Sequence, residues 1–322
     1  MTACTGDTTP SLEEFRELAR DRRVIPVVRR LLADGMSAVG LFTALCGNRA
    51  GTFLLESAEQ GRQWSRYSFV GVRCAAMLTD RDGSAAWIGR APRGVPQGTR
   101  AVDALRDTVD MLRTRPLPGL PPLTGGLVGY LSYDAVRAWE RVPDGNPDPL
   151  GLPSIGFLLA TDLAVLDHSD GSLLLIANAI NYDDSPDRVD DAWADAVRRL
   201  DAMEASLVDP ARLPVARYEA AQPHATSITD TPDFLAQVDA VKEYIRAGDA
   251  FQVVLSQRYE IACQAEALDV YRVLRATNPS PYMYLIRVPV DDGSTANDIN
   301  GELPEDVAFD IVGSSPEALV TV

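Results

Sequence analysis

The chain has 322 residues, 46% hydrophobic and 24% charged, which is an ordinary globular composition. Its net charge of −16 disfavours partners such as nucleic acid and anionic membranes. It has no apolar run of the roughly 20 residues that span a bilayer, and its N-terminus lacks the features of a secretory signal. Cys4, Cys46, Cys74 and Cys263 are scattered, as is typical of reduced thiols, so we expect a cytoplasmic protein.

The N-terminal third alternates between helical and extended patterns. Residues 1–10 are polar and aperiodic, and we expect them to form a disordered tail. Ser11 begins a helix, and Glu14 three residues later completes a capping box. Short extended runs separated by Gly or Asp-Gly then predict antiparallel strands over 52–87. Apolar residues at helical spacing predict a helix over 101–115.

The middle of the chain is richer in buried strands. Glycine-rich residues 125–133 predict a strand with close backbone approaches, and the apolar runs 155–168 and 172–180 predict strands buried on both faces. Apolar residues from Val189 to Leu207 line one face of a long helix. Residues 208–230 mix Pro, Ala, Thr and Ser without periodicity, which indicates a domain boundary.

A helix and strands follow the boundary. Thr231 is the predicted N-cap, Pro232 occupies the first helical position, and Gly248 ends the helix. The apolar run 251–263 predicts a strand. The remaining predictions are a helix over 268–277, strands over 282–288 and 307–322, and a polar surface loop over 289–306.

These elements predict an α+β fold of layered antiparallel sheets with helices, because strands and helices do not alternate strictly. The domain boundaries divide the chain into a tail (1–10), an N-terminal domain (11–220) and a second domain (221–322). Dinucleotide, phosphate-loop and nucleophile-elbow motifs are absent from the sequence. His168 and His224 have no third ligand at metal spacing, so the sequence predicts no metal site in this chain.

Three segments carry possible binding chemistry. Glu56 and Ser57 end one strand and Arg66 begins the next, so a carboxylate, a hydroxyl and a guanidinium are predicted to lie close together. Such a trio suits a zwitterion, because the carboxylate can take an ammonium group and the guanidinium a carboxylate. A strand end with a surface ion pair is the alternative.

The second segment is a proline-stiffened turn, and the third is a polar position in an apolar strand. In the second, Asn278 opens a turn with two prolines, ending in Pro281, before Tyr282 and Met283, which could flank a flat ring. A plain turn into a core strand is the alternative. In the third, Gln252 could position a small nucleophile in a cleft or serve as a satisfied core amide.

Five motifs in order resemble component I of anthranilate synthase, from about residue 12 to the end of the chain. They are LLES with RYSFVG (54–71), GGLVGYLSYD (125–134), YIRAGDAFQVVLSQR (244–258), NPSPYMYL (278–285) and DIVGSSPEALV (310–320). The resemblance implies a lyase that converts the substrate chorismate, with ammonia, to anthranilate and pyruvate in the first step of tryptophan biosynthesis. It also implies Mg²⁺ as cofactor and a glutamine amidotransferase, component II, as partner.

The resemblance further implies a feedback site for L-tryptophan in the N-terminal, regulatory domain. The matching positions are Ser57, Pro281, Tyr282 and Met283. Glu56, Arg66 and Asn278 are their neighbours. This assignment joins segments that lie far apart in the sequence, and it gives the second domain the role of an incomplete start of the chorismate-binding domain.

Gln252 distinguishes between relatives. Superfamily members that add water to chorismate place a lysine here as a base, whereas ammonia needs no such activation, so Gln252 favours an amine-adding enzyme. Aminodeoxychorismate synthase also has Gln at this position and stays an alternative.

The sequence ends shortly after the GSSPE motif, and its 289–306 loop is an insertion relative to the family pattern. The family's metal carboxylates and catalytic histidine have no match here. We therefore expect the metal ligands outside this sequence and no activity from this chain alone. A tryptophan-binding fragment without catalysis is a further alternative.

Overall fold

The computed structural model describes residues 6–58, 66–210, 215, 224–293, 302–318 and 320. The chain forms two compact units, the first comprising Met1–Pro214 with Ala267–Val322 and the second Val215–Glu266. The second unit begins near the predicted boundary at residue 221. It ends at Glu266, however, because the strands that follow join the sheet of the first unit.

The elements of the described residues are as follows. The strands are β1 (Thr8–Thr9), β2 (Val24–Leu32), β3 (Thr52–Glu56), β4 (Tyr67–Arg81), β5 (Ser84–Gly89), β6 (Gly126–Leu131), β7 (Ile155–Asp167), β8 (Ser172–Ile180), β9 (Thr226–Ser227), β10 (Tyr259–Glu260), β11 (Tyr282–Pro289) and β12 (Val307–Ser315). The helices are α1 (Leu12–Leu18), α2 (Ala38–Cys46), α3 (Ala101–Leu112), α4 (Val189–Ser206), α5 (Thr231–Ala247) and α6 (Ala267–Thr277), with a 3₁₀ turn at Tyr133–Ala138.

An antiparallel sheet of ten strands organises the first unit. Its order is β1-β2-β8-β7-β4-β3-β11-β12, with β5 paired to β4 and β6 paired to β7. The predicted α+β class with antiparallel sheets is confirmed. The predicted close approaches in β6 are also present, since a Cβ on Gly129 would overlap the backbone of Gly156 on β7.

The central strands of the sheet are buried on both faces. Because side chains alternate along a strand, β8 sends Leu175 to one apolar cluster and Ile176 to another. Phe15 of α1, Phe42 of α2 and Leu200 of α4 belong to the first cluster. The continuous apolar runs of β7 and β8 are explained by this two-sided burial.

The N-terminus differs in part from the prediction. The helix with its capping box is confirmed, since Ser11 Oγ accepts from Glu14 N and the Glu14 carboxylate accepts from Ser11 N. The predicted disordered tail is wrong at Thr8 and Thr9, because their backbone pairs with Val28 and Arg29 of β2. Residues 1–5 lie outside the described residues.

The second unit departs most from the prediction. The N-cap of α5 is Asp230 rather than Thr231, while Gly248 ends the helix at φ 85°, as expected. The strand predicted over 251–263 exists only at Tyr259–Glu260, which pairs with Thr226–Ser227. The apolar side chains of Phe251 and Val254 are exposed. Burial of these side chains therefore does not stabilise a paired strand here.

Candidate ligand-binding site

The pairing of β3 with β11 brings the two predicted halves of the site together. Met283 lies opposite Glu56 in an antiparallel register that continues to Arg287 opposite Thr52. Beyond the paired residues, Ala58 N donates to the Ser280 carbonyl at 2.8 Å. Ser57 and Tyr282 are therefore neighbours across the ends of these strands, although they are far apart in sequence.

The turn before β11 is held by hydrogen bonds at both ends. Asn278 N donates to the Leu274 carbonyl at the end of α6, and the Asn278 carbonyl accepts from Ser314 Oγ at 2.6 Å. Ser280 Oγ donates to the Tyr282 carbonyl at 3.3 Å. With two prolines fixing φ as well, the turn presents a stiff edge beside Ser57.

The residues after this turn face opposite ways. Met283 is only 1% exposed and packs in the core cluster that includes Tyr271 and Leu285, whereas the Tyr282 residue is 46% exposed. This is the alternation expected of a strand. Tyr282 is accessible to a ligand in this arrangement, and Met283 supports it from beneath.

Glu56 is fully buried and its carboxylate is saturated with donors. Oε2 accepts from Arg275 Nε at 2.9 Å and from Tyr271 Oη at 2.8 Å. Oε1 accepts from Arg275 Nη2 at 3.2 Å and from Ser68 Oγ at 3.4 Å. A carboxylate has about four lone-pair sites, all of which are used here. The expectation that Glu56 takes a ligand's ammonium group directly is therefore not supported, and Glu56 acts instead as an internal anchor.

The network extends from Glu56 to a histidine. Ser68 Oγ lies 2.8 Å from His168 Nε2. Burial lowers the pKa of His168, although the Glu56 carboxylate opposes that change. Burial and the adjacent Glu56 carboxylate raise the pKa of Tyr271, so its hydroxyl stays protonated and donates to Glu56.

Arg66 is held by a different carboxylate. Its guanidinium forms a bidentate contact with Asp167, with Nη2 to Oδ2 at 2.9 Å, and the Arg66 side chain is 59% exposed. Burial tends to raise the pKa of Asp167, but the hydrogen bonds from Arg66 and Ser169 outweigh it and lower the pKa to about 2. The predicted trio is thus divided, because Arg66 and Glu56 belong to separate ion pairs.

Sequence reasoning missed Tyr271 and Arg275. These residues are four apart on α6 and therefore share one face of the helix. A polar pair of this kind, together with a carboxylate in an apolar strand, signals a buried ion pair. Which strand supplies the carboxylate depends on tertiary structure.

Gln252 lies in the second unit, which is described separately from the site above. It is exposed and belongs to no helix or strand, so the predicted strand is wrong at this position and Gln252 is not a core amide. Among the described residues, no group of three or more His, Cys, Asp or Glu side chains is arranged to hold a metal ion. Within the same residues, no helix is long and apolar enough to cross a membrane.

Comparison with known families identifies the family of this chain. A family model described as chorismate binding enzyme matches residues 51–322. The chain belongs to the chorismate binding enzyme family. This match covers both β3 and β11, the strands that form the candidate site.

Relatives within the chorismate binding enzyme family are similar along nearly the whole chain. It is 49% identical over 320 residues to anthranilate synthase component 1 of Mycolicibacterium smegmatis, covering 99% of this chain and 59% of the relative. It is 49% identical to the Arthrobacter globiformis protein of the same name, covering 98% and 58% respectively. The resemblance to anthranilate synthase component I is confirmed, and the chain spans somewhat more than half the length of these relatives.

A solved structure shares the fold. The crystal structure of anthranilate synthase component I from Streptococcus pneumoniae matches with a TM-score of 0.53 and 21% sequence identity. The match covers 73% of this chain and 55% of that one. At 21% identity this likeness shows the fold alone. The roles of individual residues in this chain are argued from their own contacts.

Proposed function

We propose that this chain is the N-terminal part of an anthranilate synthase large subunit and carries its L-tryptophan feedback site. The observation that carries the proposal is the β3–β11 register, which makes Ser57 and Tyr282 neighbours. A half-buried hydroxyl beside an accessible aromatic ring suits an amino acid with a flat side chain.

In this proposal, some residues of the site contact the ligand and others position those residues. The Ser57 hydroxyl hydrogen-bonds the polar end of tryptophan, and Pro281 with Tyr282 flanks the indole. Glu56 fixes the end of β3 through Tyr271 and Arg275 and leaves ligand contact to Ser57. Arg66 lies at the surface and pairs with Asp167, so a ligand carboxylate would either share its guanidinium with Asp167 or displace Asp167 from it.

For the longer protein we propose the reaction of the named relatives, chorismate and ammonia to anthranilate and pyruvate. The ammonia would come from a glutamine amidotransferase partner, and Gln252 remains a candidate for positioning it. Mg²⁺ would act as a Lewis acid toward the substrate. The described residues do not fit such an ion, so no step is assigned to it in this chain. The relatives' names favour this product over aminodeoxychorismate.

Isothermal titration of the purified chain with L-tryptophan tests the proposal. We expect saturable binding that weakens by roughly 1–3 kcal/mol in Ser57→Ala, because a ligand group loses its hydrogen-bond partner. Ser206→Ala is the matched control, since Ser206 is exposed on α4 and bonds only within its own helix. Unchanged affinity in Ser57→Ala would remove this serine from the site, and absence of saturable binding to the folded chain would overturn the proposal.

The absence of activity in this chain alone remains a prediction. An assay with chorismate, ammonia and Mg²⁺ checks it by following the fluorescence of anthranilate. We expect no product above the rate without protein. Product formation by the chain would show that this part already contains a complete catalytic site.

A further inference from the structure

A large cavity lies in the first unit, away from the proposed tryptophan site. Its volume is about 900 Å³ and its walls come from α1, α4, β4, the end of β8 and the segment 302–305. Ligand pockets commonly have volumes of about 300–1,000 Å³. Its lining includes neither Ser57 nor Tyr282, nor the other residues proposed for tryptophan.

The lining is cationic in a strongly acidic chain. Nine of its residues are arginines, whereas five are Asp or Glu. The chain as a whole carries a net charge of −16. The cavity is therefore a local exception to the charge of the protein, and it would concentrate anions from solution.

Several of these arginines are neutralised by the protein. Arg199 pairs with Asp162 and Asp195 and donates to the Asn178 carbonyl at 2.8 Å. Arg188 likewise pairs with Asp183. These ion pairs shape the wall and leave little positive charge for a ligand.

Other lining arginines, Arg73 and Arg90 among them, have no close carboxylate partner among the described residues. The carboxylate contact of Arg73 within the described part of the chain is long, from Nη2 to Glu302 Oε1 at 3.8 Å, and both side chains are substantially exposed. The Arg90 guanidinium lies 3.9 Å from the centre of the Tyr182 ring, and its shielded Nε has no hydrogen-bond partner among the described residues. Arg90 N donates to the Ala75 carbonyl at 2.8 Å, two residues from Arg73 on β4. Burial, then the positive charges of Arg73 and Arg90, lower the pKa of Arg199 to about 10.

We propose that this cavity binds a small multivalent oxyanion, of the phosphate or polycarboxylate class, between Arg73 and Arg90. The guanidinium fork matches the oxygen geometry of both classes and can form two parallel hydrogen bonds. A bound anion would also balance the positive charge of Arg73 and Arg90. The aromatic ring of Tyr182 keeps Arg90 in place for this contact.

Titration calorimetry of the full 322-residue chain tests the proposal, with inorganic phosphate, pyrophosphate and citrate as probes. Ionic strength is held constant with sodium chloride, so that general screening does not change during the titration. We expect saturable binding of one anion per chain for at least one probe. Binding of phosphates alone or of citrate alone supports the site and tells which class it takes.

Charge variants locate the binding. Arg90→Gln and Arg73→Gln should each weaken it by about tenfold or more, because a charge-assisted contact is lost. Arg106→Gln is the control, since Arg106 lies on α3, is exposed and does not line the cavity. Circular dichroism confirms folding, and Arg73→Gln keeps the test valid if Arg90→Gln misfolds. No saturable binding of any probe, or equal binding in the folded variants, would overturn the proposal.

Discussion

Replacing Tyr271 with phenylalanine should destabilise the first unit measurably. The change removes one hydroxyl, which donates to Glu56 Oε2 at 2.8 Å, and it leaves the ring in the core. Neither Tyr271 nor the Glu56 side chain is exposed to water. A hydrogen bond to a charged group contributes about 1.5–3 kcal/mol, and a buried carboxylate that loses a donor cannot replace it with solvent.

The two Arg275 contacts with Glu56 remain in this variant, so we expect a loss of about 1.5–3 kcal/mol rather than unfolding. Urea denaturation at pH 7, followed by tryptophan fluorescence and circular dichroism, measures it. Tyr133→Phe is the matched control, because Tyr133 is 87% exposed. A Tyr271→Phe variant within about 0.5 kcal/mol of the parent would show that Glu56 does not depend on this donor, and the anchor role would be refuted.

Three further predictions concern backbone packing, pH dependence and thiol reactivity. Gly129→Ala should cost about 1–3 kcal/mol in urea denaturation because its Cβ would overlap the neighbouring strand, whereas Gly145→Ala, in open space, should cost little. Since the Asp167 pKa is lowered to about 2, its stabilising contribution is present above pH 4 and is lost as pH falls toward 2. Asp167→Asn should therefore flatten the dependence of the free energy of unfolding on pH in this window. An unchanged pH dependence would contradict the assignment. Burial raises the pKa of the Cys46 thiol to about 12, so iodoacetamide should label exposed Cys263 in the native chain and Cys46 only after unfolding, as peptide mass mapping would show.

Local patterns were sufficient for most elements of the first unit. The capping box at Ser11 fixes the start of α1 through its own side chains, and the apolar runs of β7 and β8 reflect burial on both faces. The same kind of pattern failed at 251–263. An apolar run becomes a strand only when a neighbour pairs with it, and the exposed Phe251 is not buried against one in the described structure.

The site was partly predictable for a different reason. Motifs similar to a known family joined Ser57 with Tyr282, which periodicity alone could not do, and the β3–β11 register places them together. The sequence suggested Arg66, the nearest arginine in that motif, as the partner of Glu56. Arg66 pairs with Asp167 instead, and the arginine that pairs with Glu56 is Arg275 from a distant helix. The arginines of the cavity come from many separate segments, so their convergence depends on the tertiary fold.

The anchoring of α6 by Glu56 has a mechanical consequence. This helix starts at Ala267, directly after the last residue of the second unit, and ends at Thr277, directly before the proline-stiffened turn. Its Arg275 is tied to the strand that leads into Ser57. A single buried carboxylate therefore cross-links the end of α6 to the end of β3, so a substitution at Glu56 would displace both the strand end at Ser57 and the helix that leads into the turn.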